Sequence, residues 1–396
     1  MVIDILKGIL TLFYNPLFYL LLIGLGLFGY QRVRRERVSF GVKVYGMFNN
    51  VFSIFIPSFI VGLIGTAVLL VTGVSVPAGM IVLMVICHLL IMLTLQLRYL
   101  SPAIILGITM IISDIIPQFK TGVSLIDGWL NDIHHVSYFS FGVLFIVSLF
   151  IESALVLIWG HKQTSPRIIN SKRGKKVGAH EASHIWIVPL FFLVPMAGSV
   201  HHYGWWPLSQ GTNFGFVLFP LGVGLQQLIT YTLPKKAVKD TGIWLLATSA
   251  VTAVIIGAGI YWHVKALLII GAAFAIISRL FLIFVHHYQL EKKPFFFSTK
   301  SDGLMIIGVI PGSPADRMNL KEGEIIKKVN DQTVLSEKDF YHALQLNVAY
   351  CKIDVADVNG ELRFERGSVH EGDYHTIGLL FLESDRRKRY LKSKTQ

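Results

Sequence analysis

The chain changes character near residue 288, and that change limits what it can fold into. Before it, apolar runs of bilayer length follow one another with few charges between them; after it the sequence turns charged and strand-rich. Residues 1–287 hold 27 charged side chains and the shorter stretch 288–396 holds 33. The first stretch carries 19 Lys/Arg against 8 Asp/Glu and the second 17 against 16, so the net charge of +12 belongs almost wholly to the apolar part. A nucleic-acid binder carries its basic surplus on a soluble face, so this distribution argues against that class. The expected division is a polytopic transmembrane domain over 1–287, a short juxtamembrane linker over 288–299, a small α+β domain over 300–385 and a basic tail over 386–396.

Crossing the hydrocarbon core takes roughly 20 apolar residues as a helix. On that template the runs near 11–30, 51–72, 79–97, 101–118, 138–160, 185–200, 213–233, 242–260 and 265–286 read as helices, about eight or nine spans in all. The fourth is interrupted by Pro102, Asp114 and Pro117 and reads equally as re-entrant; the sixth is short. Lys and Arg gather in three loops: 31–50 (Arg32, Arg34, Arg35, Arg37, Lys43), 161–184 and 234–240. With nine spans these loops fall on one side with the C-terminal domain. The positive-inside bias makes that side cytoplasmic.

Glu152 and Arg279 are ionisable residues inside otherwise uninterrupted apolar runs. A charge at that depth costs several kcal/mol unless paired, so the two are expected to neutralise each other within the bundle. The histidine pairs His134-His135, His201-His202 and His286-His287 sit at run edges, where interfacial anchoring accounts for them. Cys87 and Cys351 fall on opposite sides of the boundary and imply no disulfide framework.

In the terminal domain, Gly303–Ile310 reads as a buried strand ended by the turn Pro311-Gly312-Ser313-Pro314. Gly323 supplies a tight turn before a second strand. Ser336 and Asp339 form a capping-box pattern for a helix through Leu346, and Asn359-Gly360 signals a hairpin. The blocks V-I-P-G-S-P-A-D and L-x-x-G-E-I-I-x-x-V-N resemble those of a bacterial PDZ domain. That resemblance implies capture of an extended peptide as an added strand beside the helix. The implied groove involves Ile377, Gly378, Leu379 and Leu380 as a permuted carboxylate loop, with His342 and Leu346 on the helix. The plain alternative is that Ile377–Leu380 is a core strand.

His180-Glu181-Ala182-Ser183-His184 matches H-E-x-x-H, which on a helix places two histidines on one face for zinc with the glutamate as base. Together with spans and a PDZ-like domain, it suggests an intramembrane metalloprotease of the site-2 type as the alternative. The motif's flank is a basic loop, however, and no Leu-Asp-Gly string follows it; the nearest, Ile126-Asp127-Gly128, lies upstream. The sequence reading is therefore no metal site, with His180 and His184 as solvated residues at the start of an interfacial helix.

Over its whole length the chain resembles the PDZ-containing bridging membrane proteins of division-site selection in Bacillus-like bacteria. NPLFYLL (Asn15–Leu21), IGVIPGSPADR, EKDFYHALQLN, VNGELRF and EGDYHTIGLLF carry the resemblance. It implies a non-enzymatic adaptor with no cofactor and no small-molecule substrate, enriched at septa and poles. Its implied partners are a DivIVA-like coiled-coil protein, the MinD-like ATPase that restrains FtsZ assembly, other division proteins and membrane lipids.

Overall fold

A computed structural model describes residues 2–46, 49–201, 213–300, 302–346, 351–367 and 377–382. The basic tail at 386–396 lies outside them, as does His202. The chain opens with α1 (Val2–Tyr14) and α2 (Pro16–Phe40), divided at Asn15. The Asn15 side chain accepts from the Leu17 amide, and Pro16 fills a first-turn position that needs no donor. There follow α3 (Asn49–Thr72), α4 (Ala78–Met92), α5 (Pro102–Ile115), α6 (Ser124–His134) and α7 (Tyr138–Trp159). A three-stranded antiparallel sheet comes next, from β1 (Ser165–Asn170), β2 (Lys176–His201) and β3 (Asn213–Ile229) in that order. Two 28-residue helices, α8 (Pro234–Tyr261) and α9 (Lys265–Lys292), complete the apolar part.

Among the described residues, five helices are long and apolar enough to cross a membrane: α2, α3 from Ile54, α7, α8 and α9. The expectation of eight or nine helical spans is corrected twice. First, α4 and α5 have 15 and 14 residues, about 22 and 21 Å of helix against a core of about 30 Å. They lie side by side, and the turn between them buries Leu97 and Leu100 against β3. Second, the runs 185–200 and 213–233 fall on long strands, not helices.

The physical reason for the second correction lies in the prolines. Inside a helix each of Pro189, Pro195 and Pro220 would remove a backbone bond and clash, at about 3 kcal/mol apiece. In the ladder Pro189 stands opposite Pro220. Neighbouring amides show which way theirs would point. Phe191 N donates outward to Thr66 Oγ1 of α3 at 3.0 Å, and Leu193 N to Val74 O at 3.1 Å. On β3, Leu218 N donates to Thr11 Oγ1 of α1 at 2.9 Å, and Gly224 N to Leu100 O at 2.5 Å. Both prolines thus occupy positions whose missing N–H the β2–β3 ladder does not use. An apolar run alone cannot separate a buried strand from a helix, which is why periodicity misassigned these segments.

Both corrections concern pairs of segments, so the polarity of the chain is unchanged. The end of α2 and the start of β1 meet where Arg32 Nη2 donates to Gln163 O at 2.8 Å. The C-terminal domain sits at the same end, where His180 Nε2 lies 2.7 Å from Ile307 O. The basic loops and the strand-rich domain therefore share one side.

That domain contains β4 (Leu304–Val309), the single-turn α10 (Pro314–Arg317), β5 (Ile325–Val329), β6 (Gln332–Thr333), α11 (Glu337–Gln345), β7 (Cys351–Ala356), β8 (Leu362–Gly367) and β9 (Leu379–Phe381). The sheet order is β8-β7-β5-β4-β9, with β6 beside β5. The capping box forms as the spacing predicts: Asp339 N donates to Ser336 Oγ and Ser336 N to Asp339 Oδ2. β7 and β8 are joined through the Asn359-Gly360 turn. The core gathers Ile306, Val329, Phe340, Ile353, Leu379 and Phe381. Cys87 and Cys351 are free and buried.

The close approach of α3 to the β2 edge depends on Gly62, where an added Cβ would stand 2.6 Å from Pro189 O. Gly62→Ala should therefore cost about 1–3 kcal/mol through overpacking against an immovable backbone. Gly26→Ala, whose Cβ meets nothing within 4 Å, should be neutral or mildly stabilising. Thermal unfolding of the detergent-solubilised chain checks the contrast; equal melting temperatures for the two variants would refute it.

Candidate functional site

β9 ends the described strand order, with β4 on one side. It is held there by the Pro311–Pro314 turn: Ile310 N donates to Gly378 O at 2.8 Å and Ala315 N to Ile377 O at 3.0 Å. Gly378 has φ +85°, and an added Cβ would collide with the Ser313 side chain, so only glycine fits. Ser313 caps α10, and Gly312 (φ +77°) and Gly323 (φ +88°) take left-handed turns on either side of it. The side chains of Ile377, Leu379 and Leu380 are buried. Leu379 and Phe381 point into the domain core, where Phe381 meets Phe340 of α11 edge-on at 5.0 Å. His342 and Leu346, by contrast, are exposed along α11. Ile377–Leu380 is thus a core strand at a sheet edge beside α11. What it can offer a partner is backbone, with exposed side chains supplied by the helix.

The domain's opposite face is fastened to the apolar part. Phe296 N donates to Thr230 O at 2.8 Å and Gly178 N to Phe297 O at 2.9 Å, so residues 296–297 continue the sheet where β3 stops. Phe297 is fully buried, and Gly308 of β4 rests on Pro166 of β1. Around this contact lies a polar cluster contributed by α2, β1 and β2. Glu36 accepts from Arg32 Nε (3.1 Å), Ser165 Oγ (2.7 Å) and Val44 N (2.7 Å). Glu181 pairs with Arg167 at 2.7 Å and Arg35 at 3.0 Å.

This cluster corrects the reading of His180-Glu181-Ala182-Ser183-His184. The motif lies on strand β2 and both histidines are buried, not solvated at a helix start. On a strand, positions i and i+4 are about 13 Å apart, too far to share a zinc ion with bonds of about 2 Å. Glu181 points to the other face and is held by two arginines. His180 bonds Ile307 O and has Thr164 Oγ1 3.2 Å from Nδ1, while the His184 ring stacks on Trp186 at 5.1 Å. Among the described residues no three His, Cys, Asp or Glu side chains are placed to hold a metal. On this strand the string lacks the helical geometry that the H-E-x-x-H motif uses.

Within the bundle, Arg279 Nη2 lies 3.2 Å from Glu152 Oε1, both side chains being nearly inaccessible. Ser101 Oγ donates to Glu152 Oε2 at 2.8 Å, and Arg279 Nη2 reaches Arg98 O at 3.5 Å. His286 is no loose interfacial anchor. Its Nε2 meets Leu228 O at 2.8 Å, and its Nδ1 stands 3.2 Å from Gln227 Nε2.

Two predictions follow from these contacts. Removing one partner of a buried pair strands the other, at about 3–5 kcal/mol, whereas an apolar pair of similar volume is nearly neutral. Glu152→Met and Arg279→Met should each sharply lower the yield of monodisperse protein on size exclusion, and the double variant should recover most of it. No recovery would refute the coupling. At the domain junction, burial lowers the His180 pKa below its ordinary 6.5, against the opposing pull of Glu322 and of the Ile307 carbonyl. A group that protonates more readily unfolded than folded stabilises fully above 6.5 and loses that stability as the pH falls below it. Proteolysis of the 293–300 segment should therefore accelerate on acidification below about pH 6.5, less steeply in His180→Gln; a flat profile would refute it.

No family model matches this chain. It is 32% identical, over 99% of its length and 98% of the relative's, to the cell division topological determinant MinJ of Bacillus subtilis (strain 168). It is 25% identical to probable cell division topological determinants MinJ of Lacticaseibacillus paracasei and Lacticaseibacillus casei (strain BD-II), over 57% of this chain and 60% of theirs. With a third of its residues shared from end to end with the Bacillus protein, the chain belongs to the MinJ family of cell division topological determinants.

Proposed function

We propose that this chain is a non-enzymatic membrane adaptor of division-site selection. Its strand-rich domain is PDZ-like, lies on the cytoplasmic face, and takes an extended peptide of a division protein along β9 and α11. The chain gathers at septa and poles, where it joins a DivIVA-like protein to a MinD-like ATPase and so confines FtsZ assembly to the proper site. End-to-end similarity to a named topological determinant carries the reading. Three further observations support it. The Lys/Arg-rich segments share a side with the domain, the side that the charge bias assigns to the cytoplasm. The strand at the sheet edge lies beside an amphipathic helix, the arrangement that strand addition requires. Within the metal-like motif, His180 bonds the domain and Glu181 is engaged by Arg167 and Arg35.

Imaging in dividing cells tests it. A fluorescent fusion should form septal and polar foci that vanish without the DivIVA-like protein, and the MinD-like protein should disperse when the fusion is absent. Leu346→Asp changes a side chain 58% exposed, so it should leave the fusion's abundance unchanged while weakening partner recruitment severalfold. Uniform membrane signal that ignores the DivIVA-like protein would sink the proposal. Glu181→Ala is unsuited to testing catalysis, because it releases Arg35 and Arg167.

A further inference from the structure

A cavity of about 370 Å³ opens between β3, the turn before α5 and the second half of α9. Three guanidinium groups reach it, those of Arg98, Arg167 and Arg279, against the single carboxylate of Glu181. Their existing partners are unequally shared. Arg279 is matched by Glu152 and Arg167 by Glu181, which also serves Arg35. Arg98 meets no carboxylate among the described residues; its guanidinium carbon lies 5.7 Å from the Tyr99 ring. Gln226, whose side-chain amide donates to Glu181 Oε1, also lines the cavity. Three guanidinium groups against one carboxylate give the hollow a cationic surplus, and that surplus defines what would complete it. The complement is an anion with oxygen acceptors.

The depth of the cavity narrows the source. Along α9, Arg279 is about 21 Å and His286 about 31 Å from Lys265 at 1.5 Å per residue. The cavity therefore straddles the boundary between a core of about 30 Å and the headgroups on the side that carries the domain. Leu282, Ile283 and Leu290 give it an apolar wall, and Phe281 and Phe284 are exposed on the same helix. From these observations we infer that the cavity binds the phosphate ester of an anionic phospholipid such as phosphatidylglycerol. The phosphate accepts from the guanidinium of Arg98, and the acyl chains follow α9. Basic pockets between spans on the cytoplasmic side suit this chemistry. The inference is independent of the adaptor reading.

The test uses the full chain purified in neutral detergent. Short-chain phosphatidylglycerol is titrated against melting temperature and against bound mass in native mass spectrometry. Phosphatidylcholine, glycerol phosphate and inorganic phosphate serve as the comparison probes. Phosphatidylglycerol should raise the melting temperature in a saturable way at one lipid per chain. Arg98→Gln should weaken that binding about tenfold, the loss of one charge-assisted hydrogen bond, while Lys120→Gln, in an exposed loop away from the cavity, leaves it unchanged. Equal stabilisation by phosphatidylcholine would overturn the inference, because apolar contact alone would then suffice. So would unaltered phosphatidylglycerol binding in Arg98→Gln. Glycerol phosphate binding as tightly as the lipid would overturn the lipid assignment in favour of a soluble anion. Should Arg98→Gln fail to fold, Ile283→Phe, which fills the cavity from its apolar wall, must abolish the same saturable binding; if binding persists, the cavity is not the site.

Discussion

Placing a β-hairpin among apolar helices raises a problem that helices do not have. A helix satisfies its own backbone, whereas a strand pair satisfies only the amides between its strands and leaves two outer edges bare. Here those edges are closed by the neighbours. Thr66 and the Val74–Val76 segment close the β2 edge; Thr11 and Leu100 close that of β3. Prolines remove donors where no ladder bond needs them. The packing of α1, of α3 and of the turn between α4 and α5 follows from that requirement, because each supplies an acceptor at a defined place.

The hairpin also explains how the two parts of the chain are joined. β2 is 26 residues long and continues past the end of β3, toward the basic side. Where β3 stops, residues 296–297 take over the vacated edge, and the first strand of the terminal domain comes to rest on β1 and β2. The domain is thus hydrogen-bonded to the same sheet that organises the helices, and its exposed elements, α11 and β8, point elsewhere. Such anchorage matters physically: anything binding along α11 would meet a surface with one orientation relative to the bilayer, at little further entropic cost.

The charged groups divide by depth. Glu152 and Arg279 neutralise each other inside the bundle with help from Ser101. Nearer the basic side, Glu36 and Glu181 hold three arginines and Ser165, fixing the end of α2 against the sheet. Between these levels lies the cavity, lined by three arginines and one carboxylate. Buried charges that are matched specify a structure; a cationic surplus around a hollow marks a place for an anion.

Much of this was legible in the sequence. The side on which the basic loops lie, the pairing partners Glu152 and Arg279, the capping box at Ser336 and the turn at Asn359-Gly360 all follow from local chemistry or charge bias. The strands β2 and β3 did not, although Pro189, Pro195 and Pro220 were visible within apolar runs that helices accommodate poorly. Nor did the fate of His180 and Glu181, since a five-residue motif cannot reveal whether its backbone is helix or strand. Periodicity, capping and charge act between residues close in sequence, so one chain displays them directly. Whether an apolar run becomes a strand depends on acceptors such as Thr11 and Thr66, which lie more than a hundred residues away along the chain. Only the tertiary structure brings those acceptors to the edge, and only there is the choice between helix and strand made.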